Sequence, residues 1–464
     1  MLANGLSWRN RWFAGKPAPT GATTASAKIS SGGVQGSTRL GLVAMAVVAT
    51  VACATLGPRG ATAPPPRLLF TGHIEGYLEP CGCSEGQLGG VARRAELLRR
   101  LRAEPGETLL VDAGNRFIAG GDAGAIQATY LAKAAERAGV AAINLGLDER
   151  VLGADFLYDI EALRRLPWVR TNPPPSREGP WPGEPLRRLA VGDQRIAIAG
   201  ISTVATRSEG TVPDPVAALR SVAAERAPEE RLVVLVQGSL ADADAIARAV
   251  PTIDVIVTAD GGAALEPAAH TVGPVLVVAT GTDGKWLGAI TLAPGPLPAA
   301  AVTTFVLGEK IPDDPATAAL VADYYGALKE ARVLAEEPPQ PTVGGAFTGA
   351  AACQSCHPDA YQVWQGSGHA RALTTLVERG KDGAPECVTC HTLGHGFTGG
   401  FVDAQTTPER GGVQCESCHG VGSNHIANPS PDYGHAGEPT CRPCHTPEQS
   451  TQFDFETYWG RIFH

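Results

Sequence analysis

No apolar run in this 464-residue chain is long enough to cross a bilayer. The extended one near the start, Leu40 to Ala52, has 13 residues, where a spanning helix needs about 20. Positive charge is also scarce: a formal net charge of -9 and a pI near 5.7 argue against nucleic acid or an anionic membrane surface as the main partner. The first 66 residues lack a foldable pattern, being rich in Gly, Ala, Ser, Thr and Pro. Unassigned cysteine is nearly absent too. Of eleven cysteines, eight fall in four CxxC pairs, two are Cys81 and Cys83, and Cys53 alone is left over. What is present is length and apolar content (44%) sufficient for two or three domains.

The run from Leu40 follows Arg39 and reads as the core of a signal peptide, residues 1–53. It ends at Thr50-Val51-Ala52-Cys53, small residues before a cysteine, which resembles a lipoprotein processing site with Thr50 where leucine is usual. Cys53 is therefore the expected lipidation site, and a lipid anchor the expected membrane contact of a protein exported to the periplasm or cell envelope. A lone free thiol would be a liability in an oxidising compartment, whereas a lipidated one is not free. Residues 54–66, ending in Ala63-Pro64-Pro65-Pro66, read as a stiff tether.

Between Cys353 and His445 one five-residue pattern occurs four times: Cys353-Gln-Ser-Cys356-His357, Cys387-Val-Thr-Cys390-His391, Cys415-Glu-Ser-Cys418-His419 and Cys441-Arg-Pro-Cys444-His445. Two intervening residues let both thiols reach the vinyl groups on one porphyrin edge, and the next imidazole then sits under the iron. Paired CxxC motifs also build zinc sites, but a zinc ribbon does not require histidine after every second cysteine. The pattern implies four covalently bound c-type haems with His357, His391, His419 and His445 as proximal ligands. Some 120 residues cannot bury a side-chain core around four such groups, so the haems must be most of it. Five further histidines, His369, His395, His425, His435 and His464, could supply second axial ligands. For His464, at the chain end, a solvated imidazole is the expectation.

Residues 353 to 445 resemble the tetrahaem cytochrome c-554 type. The carriers are Trp364, the Ser-Gly-His369-Ala stretch, Gly412-Gly-Val-Gln-Cys415-Glu-Ser-Cys418-His419-Gly420, and the positions of His425 and His435. The resemblance implies His369, His425 and His435 as distal ligands. It further implies that one haem can lack a protein sixth ligand; the stretch after His391, where His395 stands, is the place to look. The domain is expected to be mostly irregular and α-helical, over 349–464.

From Arg67 to about Leu307, short apolar strands alternate with amphipathic helices, an α/β signature with helices expected on both sheet faces. Strands are predicted at 68–71, 108–111, 141–144, 196–199, 232–236, 255–257 and 275–278, and helices at 90–102, 126–138, 215–225 and 241–249. Phe70-Thr-Gly-His73-Ile-Glu75, Leu109-Leu-Val-Asp-Ala-Gly-Asn115, Leu145-Gly-Leu147-Asp148-Glu149, Ile253-Asp-Val-Ile-Val-Thr-Ala-Asp260-Gly-Gly262 and Gly281-Thr-Asp-Gly-Lys-Trp-Leu-Gly288 resemble the catalytic domain of 5'-nucleotidase-like metallophosphoesterases. That resemblance implies an α/β metallophosphoesterase-like sandwich over 67–310. Two-metal hydrolysis needs a cage of aspartate, histidine and asparagine. Matched to that cage, this chain has His73 and Glu75 for the first aspartate and histidine, Asn115 for the bridging aspartate, and Leu147 and Asp148 for the asparagine and catalytic histidine. Gln237, Asp260 and Gly262 replace the later histidines. A dinuclear phosphoesterase is not expected. His73, Glu75, Asp148 and Asp260 are a candidate remnant metal or ligand site, with polar loop residues as the alternative. Cys81 and Cys83 beside that cleft could close a strained, easily reduced disulfide. They read as a redox or sulfur-handling pair, or else as a loop staple or soft-metal pair. Residues 311–348 read as a helix and linker.

Three functions compete. The first is an exported electron carrier served by redox proteins or quinol-linked donors, the α/β domain acting as docking or ligand-binding scaffold. The second is a redox enzyme for a small sulfur or nitrogen compound, and the third a hydrolase fused to a cytochrome.

Overall fold

Alternating side chains decide the architecture of the N-terminal half. In strand β1 (Arg67–Thr71), Leu68 and Phe70 point one way into a buried cluster shared with a second sheet, while Leu69 points the other way onto helix α1 (Val91–Ala103). This is the period-2 geometry of a strand buried on both faces. The structure, a computed structural model, describes residues 64–464 apart from 81–85, 119, 177, 206–210, 260–265, 336–337 and 448. The expected signal peptide, Cys53, most of the tether, Cys81, Cys83 and Asp260 lie outside the described residues.

The first sheet continues with β2 (Thr108–Asp112), helix α2 (Gly121–Ala138), β3 (Val140–Asn144), short helices α3 (Leu147–Leu152), α4 (Ala154–Asp159) and α5 (Glu161–Arg164), and β4 (Trp168–Val169). The second holds β5 (Leu186–Val191), β6 (Gln194–Ser202), α6 (Pro215–Glu225), β7 (Glu230–Gln237), α7 (Leu240–Ala249), β8 (Val255–Ala259), β9 (Ala268–Val272) and β10 (Val275–Ala279). The chain returns to the first sheet through β11 (Trp286–Thr291) and β12 (Val302–Val306). The orders are β12-β11-β1-β2-β3-β4 and β5-β6-β7-β8-β10-β9. The inner strands are parallel and antiparallel pairs close each sheet, except that β4 ends the first in a parallel pair.

The two sheets pack face to face through Leu68, Phe70 and Val111 against Ile198, Val233, Leu235 and Val257. Helices therefore cover one face of each sheet, not both as the sequence suggested; the other sheet is the apolar partner on the inner face. Gly288 in β11 leaves room for the Phe70 ring, which any Cβ there would strike. Truncating Phe70, 1% exposed, would cost about 3–5 kcal/mol.

Helix α8 (Pro315–Ala331) starts at an Asp314 cap, whose carboxylate accepts from the Thr317 amide, and at Pro315. Its Val321, Tyr324, Tyr325 and Leu328 enter the same buried cluster as Leu131 and Ala135 of α2. Beyond it the chain is made of short helices, α9 (Pro358–Gly366), α10 (Ala372–Glu378), α11 (Pro385–His391), α12 (Cys415–His419), α13 (Ser423–Ala427), α14 (Glu438–Cys441) and α15 (Phe455–Trp459). One small buried apolar cluster, Leu334, Leu376, Val388 and Phe401, lies in this region. Residues Ala63–His464 form one compact unit. No helix among the described residues is long and apolar enough to cross a membrane.

Candidate functional site

Each CxxCH motif sits on a helical turn, which places cysteines three apart on one side with the histidine one position further. In the first, the His357 amide donates to the Cys353 carbonyl at 2.9 Å; in the fourth, the His445 amide donates to that of Cys441 at 2.9 Å. The second and third occupy α11 and α12. The Cys353 thiol neighbours that of Cys415 and the Cys390 thiol that of Cys444, so the first motif adjoins the third and the second adjoins the fourth.

Histidine rings face one another in three places. His357 and His425 have ring centres 6.2 Å apart at 24°, His369 and His445 6.3 Å at 49°, and His419 and His464 5.9 Å at 57°. Imidazole–metal bonds of about 2.0–2.1 Å on both sides of one ion put ring centres roughly 6 Å apart, so each pair has the spacing of two axial ligands. Every pair joins a CxxCH histidine to one outside the motifs. Ring orientation is fixed from behind, as metal-bound imidazoles require: Nδ1 lies 2.8 Å from the Ala372 carbonyl in His391, 3.1 Å from Ser450 Oγ in His445 and 2.9 Å from the Ile462 carbonyl in His464, and His419 Nδ1 meets the Gly434 carbonyl. Burial lowers the pKa of both His369 and His445, keeping them in the neutral form that binds iron.

His369 and His425, which the resemblance implies as distal ligands, are the members of two of these pairs that lie outside the motifs. His464, expected as a solvated imidazole, is exposed, and beyond the Asp454-capped α15 and its Trp459–Phe463 ring contact its ring centre comes 5.9 Å from that of His419. His435 is exposed, and its neighbour Gly434 holds His419 from behind. His395 is half-buried, with Nδ1 3.2 Å from the Phe401 carbonyl.

Two supporting residues escaped the motif reading. Buried Glu416 accepts hydrogen bonds from the amides of Thr348 (2.9 Å), Gly349 (2.7 Å) and Gly422 (2.7 Å). Gln414 accepts from the Ala350 amide at 2.7 Å and donates to the Glu409 and Gly411 carbonyls. Their signal was the polar pair flanking Cys415, in a region too short for an apolar core. A cavity of about 960 Å³ runs among Cys387, Cys390, His391, Cys441, Cys444 and His445. Paired thiols, opposed imidazoles and this volume fit covalent haem; bound there, it supplies a one-electron iron centre.

The same cavity reaches the α/β half at Glu75, Glu79 and Ile118, beyond the carboxyl ends of β1 and β2, where open α/β sheets bind ligands. His73 and Glu75 come together, Nε2 to Oε1 at 3.0 Å. Burial pushes the His73 pKa down, but Glu75, Asp148 and Asp283 outweigh it and hold it above the usual range. The bond from His73 holds Glu75 low. Burial, with Glu75 nearby, raises Asp148 to about 6, and burial beside Asp148 raises Glu149 to about 7. His73, Glu75, Asn115 and Asp283 all adopt left-handed backbone, with φ between 48° and 56°, strain of the kind that gathers at ligand sites.

Several positions matched to the two-metal cage are engaged with the protein itself. Asn115 Oδ1 accepts from the Leu147 amide at 3.0 Å, Glu149 accepts from the amides of Asn115 and Arg116, and Asp112 pairs with Arg116. Gln237 bonds to Ser202. Among the described residues no group of three or more His, Cys, Asp or Glu side chains is placed to hold a metal ion.

Comparison with known proteins divides the chain in the same way. The family of cytochrome c554 and c-prime matches residues 352–420. Cytochrome c-554 of Nitrosomonas europaea is 33% identical over 120 residues, 23% of this chain and 48% of the relative, so the chain spans about half the length of the curated relative it matches. The NAD nucleotidase structure of Haemophilus influenzae covers 63% of this chain and 64% of its own, with a TM-score of 0.51 at 18% identity, a likeness of fold. A 5'-nucleotidase precursor from Thermus thermophilus covers 64% of this chain and 67% of its own, with a TM-score of 0.48 and 22% identity.

Proposed function

Because the chain joins a C-terminal cytochrome c554 domain to an N-terminal region of the 5'-nucleotidase and calcineurin-like phosphoesterase fold, we propose that it is an exported tetrahaem electron carrier. In this reading the phosphoesterase-like half has given up hydrolysis and serves as a docking or ligand-binding scaffold. The observation that carries it is the set of three imidazole pairs at 5.9–6.3 Å, each containing a CxxCH histidine. Six-coordinate haems of this kind exchange electrons without binding substrate. The chain's own residues hold the rings in register and bring the motifs close in pairs.

The working location is outside the cytoplasm, as is typical of c-type cytochromes. A lipid on Cys53 would keep the protein at the membrane, where redox proteins or quinol-linked donors supply electrons. Cys81 and Cys83 enter as a redox or sulfur-handling pair; unchanged substrate-linked haem reduction in Cys81→Ser and Cys83→Ser proteins removes that role. Mass spectrometry of protein matured in a competent host tests the main reading: four covalently attached haems support it, and bare thiols or zinc refute it.

One observation favours redox catalysis on a small sulfur or nitrogen compound as a second reading, namely the cavity shared by Glu75, Ile118, Cys390 and His391. Carbon monoxide or nitrite should then perturb the visible spectrum of one haem; an unperturbed spectrum leaves the carrier alone.

A further inference from the structure

Residues leading into the second CxxCH motif are built into the α/β half. Lys381 pairs with Glu79, in the loop after β1. Asp382 pairs with Lys329 of α8 at 2.7 Å, and Gly383 packs so closely on the Lys329 backbone that a Cβ would come within 3.0 Å. Ala384 is 0% exposed, inside the cluster formed by α2 and α8. Glu386 accepts from the Tyr324 hydroxyl at 3.3 Å, and Cys387 packs against the same cluster.

Glu79 is the centre of this junction. It accepts from the Tyr325 hydroxyl at 3.0 Å, and the Lys381 ammonium that pairs with it lies 5.1 Å from the centre of the Tyr325 ring. Glu79 and Lys381 line the same cavity as Cys387, Cys390 and His391. A ferric haem carries one more positive charge than a ferrous one, so a nearby carboxylate favours the oxidised form and a nearby ammonium the reduced form.

We propose that the haem carried by Cys387 and Cys390 is the contact haem between the two halves, its potential held in balance by the opposed charges of Glu79 and Lys381 at the junction. This rests on the haem reading above and goes beyond it by naming which haem answers to the α/β crevice and through which charges. Glu79 and Lys381 are positioning residues: they act on the iron through the field at the cavity wall.

The test is a spectroelectrochemical titration of the full-length, haem-loaded chain. In Glu79→Gln the unpaired ammonium should raise one of the four one-electron steps, and in Lys381→Met the unpaired carboxylate should lower the same step. Each shift should be about tenfold in the reduced-to-oxidised ratio, about 59 mV. The double variant and Lys381→Arg should both stay near the starting potential. A merely structural clamp would move the step the same way in both single variants. That outcome, no shift, or an equal shift of all four steps overturns the proposal. If the parent chain lacks four attached haems, it is the haem reading that fails.

Discussion

His464 lies across from His419 with ring centres 5.9 Å apart, the spacing of two imidazoles on one metal ion. His464→Ala should convert one haem in four from low-spin to high-spin, seen by electron paramagnetic resonance and by a weakened α-band. His435→Ala, altering an exposed ring, should leave the spin state unchanged. The reverse pattern would return the ligand role to His435.

Glu416 satisfies three backbone amides at once, two of them buried. Glu416→Ala leaves them without an acceptor, and bonds to an ionised group are the stronger kind. Unfolding of the haem-loaded variant should show a loss of about 2–4 kcal/mol, with all four haems still attached.

Glu149 gives the α/β half a pH dependence. Its folded pKa, raised by burial and by Asp148 to about 7, exceeds the unfolded value near 4.3. Between these values the folded state binds more protons, so stability falls as pH rises from about 4.5 to about 7. Glu149→Gln removes the titration and should flatten that slope in denaturant midpoints measured across the window.

Among the described residues no group of three or more His, Cys, Asp or Glu side chains is placed to hold a metal ion, and Asn115 and Glu149 are hydrogen-bonded to backbone amides. Purified protein should carry iron alone in near-stoichiometric amounts and show no phosphatase activity with added manganese or zinc. Activity that His73→Ala abolishes would revive the hydrolase.

The central strands were legible because each is an unbroken apolar run, as in Leu232–Val236. Strands β5, β9 and β12 were not: Leu186-Arg-Arg-Leu and Val302-Thr-Thr lie at sheet edges with one face in solvent, and their polar residues hide the alternation. Helix α2 begins at Gly121, ahead of the predicted Ile126, since a glycine pair reads as a break until the chain packs around it. The haem cysteines could be read from spacing alone, which is local chemistry. The partner of His419 could not, because a terminal residue's position depends on contacts far away in sequence. The Glu79–Lys381 pair, whose members are 302 positions apart, is hidden for the same reason.

The buried apolar cluster of the C-terminal region comprises four side chains, whereas the α/β half has two sheets' worth of interior. Maturation therefore has a direction in time. The α/β half has an interior that needs no porphyrin, whereas the segment of the CxxCH motifs has little apolar interior of its own. Ala384 can settle between α2 and α8 only once the segment beside it stops moving, so its burial is a late event, and protease resistance at that segment should lag behind that of the strands.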